Sequence, residues 1–176
     1  RDVERSRGLG DVYKRQMSAT PSPIYKEKLK DILPDLKVFT LRSEYEKLKR
    51  HRIEIVPQRV IDFIENSPNL LERGRTLIIV NTIRAAQRIY KVLRESFENR
   101  RRVTLIHSEF AYMDRNRKEN EIETTDILVA TQVAEVSLDV SFDHLITELA
   151  PIPSLVQRFG RVNRYGYQFP SNSNVY

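Results

Sequence analysis

Apolar residues along the chain gather in short uninterrupted runs, separated by stretches in which they recur every three or four positions. The runs lie at Lys37–Leu41, Thr76–Val80, Val103–Ile106, Asp126–Ala130 and His144–Thr147. They are too short for helices and rich in β-branched residues, which predicts strands buried on both faces. Between them, Val60, Ile61, Phe63 and Ile64 form one helical stripe. Ala85, Ala86, Ile89, Tyr90 and Leu93 form a second, ahead of the charged stretch Arg94–Arg102. Weaker patterns predict helices at Tyr112–Asn120 and Ser154–Phe159. Repeated strand and helix units with nearly continuous apolar strands predict an α/β fold, a parallel sheet with helices on both faces in a three-layer sandwich.

The ends of the chain read differently. Residues 1–16 show neither periodicity and resemble translated cloning sequence, so we set them aside as a non-native leader. The chain starts at Arg1 rather than Met and is expected to be a fragment. Pro21, Pro23 and Pro34 punctuate a charged, helix-compatible Lys26–Leu33, which suits a connector. The polar tail after Gly166 predicts no element, and the sheet is expected to be cut short there. The expected division is thus 1–16, 17–36 and a main domain over 37–176.

With 176 residues, 40% of them hydrophobic and 31% charged, one globular core is expected and disorder is excluded. No apolar run is long enough to cross a bilayer, so no membrane is expected. With no cysteine, thiol nucleophiles, disulfides and zinc-thiolate sites are ruled out, which agrees with a reducing, cytoplasmic setting. Thirty Lys and Arg against 24 Asp and Glu leave a net charge of +6, compatible with a polyanionic partner or simply with a soluble surface.

In open parallel sheets, ligands bind beyond the carboxyl ends of the strands. Three predicted strands end in hydrogen-bonding residues: Asn81-Thr82, His107-Ser108 and Thr131-Gln132. Such residues are also ordinary turn and N-cap formers, but together they could hold successive phosphates of a nucleic-acid backbone without reading bases. His107 is kept only as a strand-end contact, because a lone histidine is more often structural.

The sharpest signal is Gln157-Arg158-Phe159-Gly160-Arg161-Val162-Asn163-Arg164. Read as the opening of a helix, it would put Arg158, Arg161 and Arg164 on roughly one face, with Gly160 marking a close backbone approach. A fixed guanidinium can neutralise charge on a phosphoryl group in transfer. The segment resembles motif VI of superfamily-2 helicases, Q/H-R-x-G-R-x-x-R. Asp126–Asp139 (DILVATQVAEVSLD) resembles motif V of the same superfamily, and Met17-Ser18-Ala19-Thr20 its motif III. ATQVAEVSLDVSFD, LITELAPIPSLVQRFGRVNR and His107–Arg115 (HSEFAYMDR) resemble the CRISPR-associated helicase-nucleases of type I systems. Glu109 departs from that pattern, standing where those proteins often have a basic residue. The resemblance runs from about Met17 to Gly166.

That resemblance implies the second RecA-like domain of a two-domain, ATP-dependent helicase and translocase, with residues 17–36 closing the first domain and linking the two. Arg161 and Arg164 would contact the γ-phosphate of ATP, Arg164 as the arginine finger, with Gln157 tying nucleotide state to the interface. Asp139 would sit at the ATP cleft. Asn81, Thr82, Thr131, Gln132 and His107 would face single-stranded DNA, and Ser18 and Thr20 would couple hydrolysis to domain movement. The cofactor would be ATP with Mg²⁺, held mainly by the first RecA-like domain. A CRISPR RNA-guided surveillance complex would be a further partner.

The sequence has no G-x-x-x-x-G-K-[ST] loop, no acidic box before Met17 and no metal cluster, with His51, His107 and His144 widely separated. The chain alone is therefore expected to be inactive as an ATPase. Two other readings stand beside the leading one: a domain of another superfamily-2 RNA or repair-DNA helicase, and a non-catalytic nucleic-acid-binding module.

Overall fold

A computed structural model describes residues 22–38, 50–98, 100–110, 121–136, 140–166 and 170–176. The chain divides into two compact units, Arg1–Phe39 and Thr40–Tyr176. The described part of the first holds helix α1 (Pro23–Ile32). Ser22 caps it by accepting the Tyr25 amide at 3.1 Å. Pro34 disfavours helical backbone at Leu33, which leaves the helix at φ −128° and ψ 82°.

The second unit is built on β1 (Thr76–Ile79), β2 (Val103–Ile106), β3 (Ile127–Ala130) and β4 (His144–Thr147). All pairings are parallel and the order is β2-β3-β1-β4. In register, Ile78 faces Val129 and Ile146 across its two neighbours. The helices of this unit are α2 (Val60–Asn66), α3 (Pro68–Glu72), α4 (Ile83–Phe97), α5 (Val133–Val136) and α6 (Ile152–Phe159).

Alternate residues of each strand enter different cores, as the two-residue repeat of a strand demands. Ile78, Leu105, Ile127, Val129 and Ile146 pack with Ile64 of α2 and Ala86, Ile89, Leu93 and Phe97 of α4. Leu77, Ile79, Ile106, Leu128, Ala130 and Leu145 pack on the opposite side with Ile122, Ala134, Phe142 and Val162. A sheet buried on both faces explains why its strands read as continuous apolar runs. The expected α/β sandwich is the observed one. Helix α4 runs on to Phe97, four residues into the charged stretch that follows the apolar stripe, because Phe97 continues the buried spacing.

One expectation is corrected at the sheet edge. The tail carries an element: Asn174–Tyr176 lie parallel to β4, with the Leu145 amide donating to Asn174 O (2.9 Å) and the Thr147 amide to Tyr176 O (2.8 Å). The Glu54 amide donates to Val175 O at 2.8 Å, which adds Arg52–Glu54 outside the tail. The first expected strand, Lys37–Leu41, is not seen at Lys37 and Val38, and its remainder falls outside the described residues. The expected helix Tyr112–Asn120 also falls outside them.

The amino ends of the strands are closed by Arg75. Its guanidinium lies over Phe142, 4.7 Å from the ring centre, and donates to Thr125 O and Ile122 O. Asn81, Thr82, His107, Thr131 and Gln132 follow the carboxyl ends of the strands, whereas Arg164 lies beside Ser141, which precedes β4. Among the described residues no helix is long and apolar enough to cross a membrane.

Candidate nucleotide and nucleic-acid interface

The Gln157–Arg164 segment closes a helix rather than opening one. Helix α6 ends at Phe159 and Gly160 is its C-cap, at φ −62° and ψ −6°. Of the three arginines Arg158 alone lies within the helix, while Arg161 and Arg164 lie beyond it and share no helical face. The threefold spacing fits a helix, but the backbone turns away at Gly160. Val162 then pairs parallel with Phe142, and the Phe142 amide donates to Arg161 O at 2.9 Å. Asn163 takes a left-handed conformation, φ 44°, which asparagine tolerates better than most residues. Its side-chain amide donates to Arg50 O at 2.9 Å. Arg164 is held through its backbone on both sides, its amide donating to Ser141 Oγ (3.1 Å) and its carbonyl accepting from Arg50 (2.8 Å).

Arg158 has a different environment from the other two. It is 1% exposed, and its Nε meets Glu135 Oε1 at 2.9 Å in a buried ion pair. The other donors reach Thr147 Oγ1 (2.8 Å), Glu148 O (3.1 Å) and Asn81 Oδ1 (3.1 Å). One planar fork thus joins the ends of β1 and β4 to α5, a task that a lysine's single ammonium could not perform. Arg161, half-buried, donates to the Glu135 carbonyl at 2.6 Å.

The expected strand-end residues divide into an exposed set and a buried set. Asn81, Thr82 and Gln132 are exposed. The Asn81 amide donates to Glu148 Oε2 (2.6 Å), its side-chain nitrogen to Leu149 O (2.9 Å), and Gln132 Nε2 donates to Asn81 O (3.2 Å). Thr82 caps α4 by accepting the Ala85 amide at 3.2 Å. Thr131 and His107 are buried, His107 stacked on Phe110 with ring centres 4.1 Å apart. Gln157 is exposed on α6. Asp139, Ser18 and Thr20 lie outside the described residues.

Glu135 and Glu148 were missed in the sequence. The available signal was a charge at an apolar position. Glu135 interrupts Val133-Ala134-Glu135-Val136, and Arg158 follows Leu155 at helical spacing on the covered side of α6. Two opposite charges in apolar settings are best satisfied by each other.

No group of three or more His, Cys, Asp or Glu among the described residues is arranged to hold a metal ion. The chemistry on offer is cationic and hydrogen-bonding. Arg161 and Arg164 carry permanent positive charge on an anchored backbone, and the side-chain amides of Asn81 and Gln132 are exposed.

Comparison with known proteins identifies the family. The family model described as CRISPR-associated nuclease/helicase Cas3, C-terminal, matches residues 72–167. The CRISPR-associated nuclease/helicase Cas3 of Streptococcus thermophilus is 32% identical over 145 residues, 76% of this chain and 15% of that protein. The CRISPR-associated endonuclease/helicase Cas3 of Escherichia coli (strain K12) is 40% identical over 102 residues, 52% of this chain and 12% of that protein. The chain thus spans less than a fifth of the length of these curated relatives. The crystal structure of T. fusca Cas3-AMPPNP superimposes with a TM-score of 0.60 at 26% identity, covering 83% of this chain and 19% of that one. S. cerevisiae Dbp5 bound to RNA and ADP BeF3 shares the RecA-like fold, with a TM-score of 0.65 at 18% identity over 90% of this chain and 42% of that one. The motif VI turn, the polar carboxyl edge of a RecA-like sheet and the match over residues 72–167 lead to one conclusion: the chain belongs to the family of Cas3 C-terminal domains and is a superfamily-2 helicase domain of the Cas3 type.

Proposed function

We propose that this domain is the second motor domain of an ATP-dependent DNA helicase and translocase acting in CRISPR interference, beside an RNA-guided surveillance complex. The observation that carries the reading is the link through Glu135. Its carboxylate holds Arg158, which binds Asn81 on the strand-facing edge, and its carbonyl holds Arg161 in the motif VI turn. A motor needs nucleotide-facing and strand-facing groups on one rigid body, and here one residue touches both networks.

In this reading ATP with Mg²⁺ is held mainly by the first RecA-like domain and supplies the phosphoryl group to be cleaved. Arg161 and Arg164 approach the γ-phosphate as that domain closes. Because a guanidinium stays charged and the Arg164 backbone is fixed, charge developing on the phosphate is met by a group that needs little reorganisation. Arg164 is the finger, and Arg161 supports it from the Glu135 carbonyl. Gln157, exposed on α6, reports nucleotide state to the interface, and Asp139 lines the ATP cleft. Ser18 and Thr20 couple hydrolysis to domain movement. Asn81, Thr82 and Gln132 contact the single-stranded DNA backbone; His107 and Thr131, expected to do so as well, are buried at the ends of β2 and β3.

The test is ATP turnover with and without single-stranded DNA, for this chain alone and for the intact enzyme. The intact enzyme is expected to show DNA-stimulated hydrolysis and the chain alone none. Stimulated, Mg²⁺-dependent turnover by the chain alone would contradict the proposal.

A further inference from the structure

We infer that the outer face of α4 is a second contact surface for single-stranded DNA, engaging the strand beyond the carboxyl edge through Arg84, Arg88 and Lys91. The inference rests on the strand-facing edge proposed above and extends it onto a surface that has no part in that edge. The three residues stand at i, i+4 and i+7, so they share one stripe of the helix. All three are exposed, and among the described residues none has a hydrogen-bond or ion-pair partner. From Asn81 to Arg94 the chain carries four basic residues and no acidic one. Asp62 of α2 is close enough to feel Arg88, but both of its oxygens accept from Arg59, at 2.7 and 2.8 Å.

Such a stripe works against the helix that carries it. Arg84 lies in the first turn of α4, which has no acidic residue, so its charge meets the positive end of the helix dipole. Arg84 and Arg88 are also like charges four residues apart, a destabilising pair. A helix face that serves only as a solvated surface gains from mixed signs, and this one keeps a single sign as far as Glu95. A polyanion relieves that repulsion, and the place of the stripe selects the polyanion. Helix α4 begins directly after Asn81 and its cap Thr82, at the edge where the phosphates of the strand are proposed to lie. A strand leaving Asn81 along α4 meets Arg84, then Arg88, then Lys91, and at the far end the open notch lined by Tyr90, Lys91, Arg94 and Glu95. From Arg84 to Lys91 the helix rises about 10 Å, which matches about three phosphates of one strand. Exposed cations meet phosphates and read no bases, so the contact is independent of sequence.

The experiment measures the Kd of the intact enzyme for oligo-dT strands of increasing length across a salt series. One variant combines Arg84→Gln, Arg88→Gln and Lys91→Gln and removes the charge. A second combines Arg84→Lys and Arg88→Lys and keeps it. For long strands the glutamine variant should lose about 2 from the log–log salt slope, three contacts at about 0.7 each. With affinities that meet at about 1 M salt, this is roughly a 100-fold rise in Kd at about 0.1 M. Strands too short to reach past the edge should bind the parent and the glutamine variant alike. The lysine variant should keep the full slope. The glutamine variant should melt no lower than the parent, because it relieves repulsion within α4. An unchanged slope for long strands, an equal loss for short and long ones, or a lost slope in the lysine variant overturns the inference. So does a glutamine variant that melts well below the parent, which marks a structural face, or one that loses affinity for a blunt duplex but not for oligo-dT. A parent that binds oligo-dT just as the glutamine variant does leaves the strand-facing edge standing and removes only this surface. A parent that binds no oligo-dT of any length removes the strand-facing reading itself.

Discussion

Truncating Arg158 to alanine should be among the most damaging single changes in the described core. The substitution leaves the Glu135 carboxylate, 8% exposed, without its 2.9 Å partner. Breaking a buried pair from one side costs about 3–5 kcal/mol, chiefly because the surviving charge stays buried. Thr147 Oγ1, Glu148 O and Asn81 Oδ1 also lose a donor, but they lie at a part-buried edge and water can replace it at small cost. At about 2–4 °C per kcal/mol for a chain of this size, melting should drop by roughly 6–20 °C. Circular dichroism melting of the 176-residue chain, with urea unfolding to obtain free energies, measures it. The control is Glu135→Leu with Arg158→Met, which removes both charges and should be far less destabilised than Arg158→Ala. A loss below about 1 kcal/mol for Arg158→Ala, the scale of an exposed pair, would refute the buried-charge reasoning. Equal losses in the single and double variants would show that packing, not charge, sets the cost.

Three other outcomes are expected. Burial lowers the pKa of His144 below the ordinary histidine value, against the opposing pull of Asp143, so the folded state disfavours the charged ring. Stability present above about pH 6.5 should therefore be lost as pH falls through that value toward the lowered one, and His144→Asn should flatten that step in urea midpoints taken from about pH 8 to about pH 5. Gly74→Ala should destabilise by at least about 1 kcal/mol in urea unfolding, since Gly74 sits at φ +67° and a Cβ there would lie 2.8 Å from Asp143 Oδ2. Binding of an oligo-dT strand to the intact enzyme should weaken linearly in log–log salt titrations, by about 0.7 per phosphate neutralised, and a flat response would exclude a phosphate-dominated edge.

What could be read from the sequence follows from what is local. The four strands were legible because burial on both faces forces unbroken apolar runs, and even Val80, one residue past β1, is fully buried. Helix α4 was legible because Ala86, Ile89 and Leu93 repeat at its period. The outer edge was not, because Asn174–Tyr176 gain their extended form by pairing with β4 and with Arg52–Glu54, more than a hundred residues away, and not from any pattern of their own. The motif VI arginines were recognisable in kind, but their geometry was misread because spacing by three suits a helix and the turn at Gly160 has no period. The Glu135–Arg158 pair, 23 residues apart in sequence, depends on α6 folding back on α5, so only the oddity of two charges in apolar settings announced it.

The central claim, that the turn after α6 presents a finger to ATP on a partner domain, is tested most directly by replacing Arg164 in the intact enzyme. Arg164→Lys keeps the charge and loses the planar fork, while Arg164→Ala loses both. Two contacts at this position run through its backbone, to Ser141 Oγ and from Arg50, so both variants should keep those two and melt close to the parent. Because the charge is needed most in the transition state, DNA-stimulated turnover should fall by about 10³–10⁵-fold with ATP affinity only modestly changed. Near-normal turnover with an unchanged melt would contradict the finger assignment and favour a domain that binds nucleic acid without taking part in hydrolysis.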